Sequence, residues 1–166
     1  DVIFGGAGAD QLTGGTGADT FTFEATSNGL DTIKDFKDTE SDILDLDAII
    51  TGGEYNTAGT AIADGSTGAI ALADVNNQFV YFQVADVSSA TIDEASLFAA
   101  GAEFAAEGTD AGIEFILAVG EASGTDGVNL YQVTDGAGED DMSITQIASV
   151  ENNSLADILT ANLDVT

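Results

Sequence analysis

Residues Gly5–Thr13, GGAGADQLT, and Gly14–Thr22, GGTGADTFT, are two tandem copies of one nine-residue phrase. Both fit G-G-x-G-x-D-x-U-x at every fixed position, U being a large apolar residue. The opening residues, DVIF, supply the tail of a further copy. Asp1, Asp10 and Asp19 therefore recur every nine positions, as do Ile3, Leu12 and Phe21. A period this short means that each copy contributes one turn and one very short strand. A single copy cannot bury its apolar side chain alone, whereas stacked copies can. A chain that opens inside a repeat reads as the C-terminal piece of a longer protein.

The residue types in the repeat point to a hard cation. Glycine allows positive φ and close approach of successive turns. In such turns carbonyl oxygens point the same way, and the aspartate adds an anionic oxygen. Calcium takes six to eight oxygens and tolerates irregular geometry. Charge agrees: 30 acidic residues stand against Lys34 and Lys37, with no Arg or His, for a formal net charge of −28. Such a chain repels phosphate backbones and anionic lipid, which argues against nucleic acid and membrane partners. Self-repulsion also opposes compaction unless counter-ions neutralise it. At 44% hydrophobic with nine Phe, the chain can nonetheless build a core. Its apolar runs, such as Phe115–Val119, are far too short to span a bilayer. No signal peptide is visible at the start.

Other site chemistries fit poorly. Gln11 and Thr20 occupy the third glycine position of a dinucleotide-binding turn, and no phosphate-binding lysine follows. Without His or Cys there is no nucleophile–histidine pair and no usual zinc or haem ligand set. Thirty acids offer accidental carboxylate pairs, but none is singled out, so the expectation is that the chain is not an enzyme.

The repeats resemble the RTX nonapeptide family, whose members form calcium-bound parallel β-rolls in secreted bacterial proteins. The resemblance implies calcium sites between turns. Their ligands would be carbonyls near Gly5, Gly6, Gly8, Gly14, Gly15 and Gly17, together with Asp1, Asp10 and Asp19. Residues Asp19–Leu46 resemble the segment that closes the roll in serralysin-type proteases. Its two phrases read here Asp31-Thr-Ile33-Lys-Asp35-Phe36 and Asp42-Ile43-Leu44-Asp45-Leu46. Asp31 and Asp35 either ligate a last calcium or line a solvated strand face.

Beyond the roll, 51–68 is small and polar and reads as a loop or linker. Strands are expected at Ala69–Val75, Gln78–Val87, Ile113–Val119, Val128–Asp135 and Met142–Val150, the first two forming a hairpin. A helix is expected near 93–107, with an apolar stripe of Leu97, Phe98, Ala102, Phe104 and Ala105. Asp135–Ser143 nearly repeats the nonapeptide and reads as a hairpin turn, with a further calcium site at Asp135, Asp140 or Asp141 as the alternative. The last residues, Ser154–Thr166, resemble the uncleaved C-terminal signal of type I-secreted proteins.

The expected fold is mainly β: a short parallel roll over 1–50, then an antiparallel β-sandwich-like domain with one helix over 69–166. The expected function is a calcium-binding module of a larger secreted protein. It would fold on calcium outside the cell and engage the type I secretion machinery. The alternative is a structural or adhesive subunit that self-associates into a lattice or filament at the cell surface.

Overall fold

One inward apolar side chain per nine residues dictates very short strands, and these stack in two alternating sheets. The computed structural model describes residues 1–24, 29–49, 114–121, 123–134 and 143–158, and the backbone alone at 56–63, 78–83, 159 and 163–164. The first five strands are β1 (Val2–Phe4), β2 (Gln11–Leu12), β3 (Thr20–Thr22), β4 (Asp31–Ile33) and β5 (Ile43–Asp45). β1, β3 and β5 pair in parallel in one sheet, with Ile3 opposite Phe21 and Phe21 opposite Leu44. β2 and β4 pair in parallel in the other, with Leu12 opposite Ile33. Each strand thus lies beside the strand two turns away, and the apolar residues of both sheets face one interior. Leu12, Phe21, Ile33 and Leu44 are all buried, and the rings of Phe21 and Phe36 lie 6.3 Å apart at 44°.

The remaining strands are β6 (Asn56–Ala63), β7 (Gln78–Gln83), β8 (Glu114–Gly120), β9 (Val128–Thr134), β10 (Ser143–Val150) and β11 (Leu163–Asp164). They extend both sheets of the roll. The larger sheet runs β2-β4-β10-β9-β8-β7-β6, and the smaller runs β1-β3-β5-β11. β10 lies parallel to β4, with Val150 opposite Ile33, so the later strands continue the roll's own hydrogen-bond ladder. β8, β9 and β10 are antiparallel neighbours, whereas β6, β7 and β8 are parallel. The protein is mainly β, with parallel and antiparallel pairing in the same sheet. Strand β6 falls within the polar stretch read as a loop. Asn, Gly and Ala, which are depleted in strands, make up much of it, and the pairing to β7 decides it.

β8 is buried at every position after Glu114, as expected of a central strand covered on both faces. In β10 the register shifts between Gln146 and Ala148, leaving Ile147 as an extra residue directed into the core. The core is continuous: Ile116, Ala118, Val128, Leu130 and Val150 pack in the same cluster as Phe21, Ile33 and Leu44.

A short helix, α1 (Leu155–Leu159), follows β10. The Asp157 carboxylate accepts from both the backbone amide and the hydroxyl of Ser154, each at 2.7 Å, which fixes the helix start. Leu155 and Ile158 are buried in the common core. The helix expected near 93–107, the strand at Ala69–Val75 with its hairpin turn, and the acidic loop over 135–142 lie outside the described residues.

Candidate metal centre

Side chains two apart on a strand share a face. In each D-x-U triplet the apolar residue points inward, so the aspartate two positions earlier is carried inward with it. Among the described residues three carboxylates are buried in this way: Asp19 (2% exposed), Asp31 (2%) and Asp42 (3%). The triplets stack in two columns. Asp1, Asp19 and Asp42 immediately precede β1, β3 and β5, while Asp10 precedes β2 and Asp31 opens β4.

One hydrogen-bonding rule joins each column. The main-chain nitrogen of an aspartate donates to Oδ1 of the aspartate on the next rung. The Asp10 amide reaches Asp31 Oδ1 at 3.1 Å and the Asp19 amide reaches Asp42 Oδ1 at 3.0 Å. The Asp1 amine reaches Asp19 Oδ1 at 2.8 Å. The residue after each aspartate then donates back to the earlier rung's carbonyl: Thr20 to Asp1, Thr32 to Asp10 and Ile43 to Asp19. Asp1 itself lies on the edge strand, with its side chain exposed.

This arrangement engages Oδ1 of Asp19, Asp31 and Asp42 and leaves other carboxylate oxygens without a partner. Asp10 Oδ2 and Asp19 Oδ2 are shut off from solvent with no hydrogen-bond donor. A buried anionic oxygen without a partner is costly. Burial pushes the Asp31 carboxyl above its ordinary value. The Asp10 amide draws it back down, and the nearby Asp10 charge raises it further. A hard divalent cation would relieve both conditions, and anionic oxygens in this setting are the donors calcium prefers. Among the described residues no three acidic side chains converge as a complete ligand set. A metal held here would draw on backbone oxygens as well as side chains.

The glycines set the backbone of the turns. Gly6, Gly8, Gly15 and Gly17 have φ of 75°, 130°, 100° and 100°, the left-handed side that other residues avoid. Gly14 is required for a different reason: a Cβ there would lie 2.6 Å from Asp19 Oδ2. Gly5 likewise abuts the Asp31 carboxylate.

Asp31 and Asp35, treated alike in the sequence, fall in different places. Asp31 is a buried rung. Asp35 instead accepts from the Gly14 and Gly15 amides, at 2.9 Å each, and so braces the second glycine turn. The structure also brings in three residues that the sequence reading had not placed at the site. Asp42 is the terminal rung beyond Asp19, and its Oδ2 accepts from the Lys37 amide at 2.8 Å. Glu40 Oε2 accepts from the Gly17 amide at 2.7 Å. Lys37 Nζ donates to Glu40 Oε1 at 2.7 Å and to the Gly15 carbonyl at 3.4 Å. The hydrogen bond to Glu40, more than any other influence, raises the Lys37 ammonium above its usual value. The same bond, with the Gly17 amide, holds Glu40 below the usual carboxylate value. The signal for Asp42 was present: Asp42-Ile43-Leu44 repeats the D-x-U triplet after an 11-residue step from Asp31. Glu40 and Lys37 belong to no repeated phrase.

A two-sheet parallel roll with glycine turns and inward aspartate columns defines a repeat protein built around oxygen-lined corners. Residues 1–25 match the family model described as RTX calcium-binding nonapeptide repeat (4 copies), and this segment is an RTX calcium-binding region. RTX nonapeptide repeats bind calcium. No curated protein and no solved structure matches the chain.

Proposed function

We propose that this chain is a calcium-operated folding module of a larger secreted protein. The observation that carries the reading is the pair of buried, partnerless oxygens, Asp10 Oδ2 and Asp19 Oδ2, in the two aspartate columns. Asp10 with Asp31, and Asp19 with Asp42, would hold calcium together with carbonyls of the turns at Gly5–Gly8 and Gly14–Gly17. Asp1 would contribute at the exposed edge, and Asp35 would act by bracing Gly14 and Gly15. Bound calcium supplies positive charge where the fold has buried negative charge.

The consequence is a switch. Where calcium is scarce, the buried carboxylates and the net charge of −28 oppose closure of the roll. Such a chain stays extended enough to thread a type I secretion channel. Outside the cell, calcium reaches the range of about 10⁻⁴–10⁻³ M at which extracellular calcium modules bind. Each site at tenfold saturation adds roughly 1.4 kcal/mol. A few sites therefore decide the state of a domain whose total stability is about 5–15 kcal/mol. Closure of the roll also completes the larger sheet, since β10 pairs on β4. No helix among the described residues is long and apolar enough to cross a membrane. The reading assigns this chain no catalysis of its own.

The test is circular dichroism of the chain in chelator, then in calcium, then in equal magnesium. The expected result is loss of β signal in chelator and recovery with calcium but not with magnesium. An unchanged spectrum in chelator overturns the switch.

A further inference from the structure

The chain's only two basic side chains lie three residues apart in the segment that closes the roll. Lys34 pairs with Glu151 and ties the end of β4 to the end of β10. Lys37 sits differently. The layer stacked on the second glycine turn is not another nonapeptide turn but the segment from Asp35 to Asp42. Asp35 receives the Gly14 and Gly15 amides, Glu40 receives the Gly17 amide, and Asp42 receives the Asp19 amide. This layer brings three carboxylates and lacks the glycine turn that would bring carbonyls to a metal. Its one cation is the Lys37 ammonium, held between Glu40 Oε1 and the Gly15 carbonyl, with Asp35 and Asp42 near enough to act on it electrostatically. The strand that follows β5 in this sheet is β11, and Thr160, Ala161 and Asn162 precede it in the sequence, with neither glycine nor aspartate to continue the column.

We propose that the Lys37 ammonium is the resident cation of this closing corner, filling the position that a divalent ion would otherwise take between the Gly15–Gly17 turn and the Asp35–Asp42 segment. This deepens the calcium reading and rests on it. Lysine is a compact point charge on a flexible stem, and it has three donors for oxygens arranged without a fixed plane. A tethered cation ends the column without requiring a further bound ion. The number of calcium ions is thereby set by the protein rather than by the supply of carboxylates.

The test is isothermal titration of the full chain with calcium chloride, comparing wild type with Lys37→Met, Lys37→Gln and Lys37→Arg. Each variant's fold at saturating calcium is checked by circular dichroism. The expected result is one additional calcium per chain in the Met and Gln variants and an unchanged number in the Arg variant. An equal number in all four proteins overturns the proposal. Failure of both neutral variants to fold in saturating calcium also overturns it, because the ion is expected to replace the ammonium. A wild type that binds no calcium sinks the broader reading, while the difference between wild type and the neutral variants still decides the assignment of Lys37.

Discussion

The Asp19 backbone amide donates to Asp42 Oδ1 at 3.0 Å, across 23 residues of chain. That bond makes Asp42 the successor of Asp19 in a column, although no nonapeptide surrounds it. Asp42 Oδ2 accepts from the Lys37 amide, whereas at Asp19 the Asp1 amine engages Oδ1 and Oδ2 is left without a partner.

Removing the charge at Asp19 is therefore expected to act in opposite directions with and without calcium. In Asp19→Asn, calcium affinity should fall by at least about tenfold, or about 1.4 kcal/mol. Stability in chelator should stay level or rise, because the buried Oδ2 without a partner no longer belongs to an anionic group. Calcium titration and urea unfolding in chelator measure the two halves. A variant that loses stability equally in both conditions would show that Asp19 acts only as a structural hydrogen-bond acceptor.

Two glycines of the repeat should respond differently to alanine. At Gly14 the new methyl group would press on the Asp19 carboxylate, 2.6 Å from Oδ2. Gly14→Ala should cost roughly 1–3 kcal/mol and weaken calcium binding as well. At Gly6, φ is +75° and no atom lies within 4 Å of the added carbon. Gly6→Ala should cost about 1–2 kcal/mol from backbone conformation alone. Denaturant midpoints at fixed calcium, with binding isotherms alongside, separate the two effects.

Acidity should partly replace calcium. Burial raises the folded-state pKa of Asp31, so the calcium-free fold takes up a proton there more readily than the unfolded chain. That contribution is fully present below the ordinary carboxylate value of 3.8. It is lost as pH rises through the raised folded value. In chelator, the Asp31 contribution should thus gain strength on acidification from neutral pH. Glu40 runs the other way: its folded value is lowered, so its contribution is present at neutral pH and lost on acidification. Asp31→Asn should remove the acid-favoured part of the profile, measured as urea midpoint against pH in chelator. A profile identical to wild type would show that Asp31 is not the group responsible.

Local pattern carried much of the roll. The nine-residue recurrence placed Leu12 and Phe21 inward, and Asp10 and Asp19 at the turns, because strand alternation links the two side chains within each triplet. Apolar, strand-like runs bounded by glycine- and acid-rich turns indicated the strands at 113–119, 128–135 and 142–150, realised as β8, β9 and β10. Pairing partners were a different matter. β6 carries weak strand propensity and exists through its ladder to β7. The helix α1 lay inside a stretch whose resemblance pointed to secretion, yet Ser154 and Asp157 formed a recognisable helix start within it.

By itself, then, the amino-acid order determined the period, the cation preference and the recurrence of an aspartate at each turn, since these depend on residues at most nine positions apart. Only the tertiary structure decided that Asp42 succeeds Asp19, that Asp35 braces a turn, and that Lys37 lies at the closing corner. Those relationships join residues about twenty positions apart across the ladder. No local rule on turn length or propensity specifies how many residues a non-repeating segment uses before its strand returns to register.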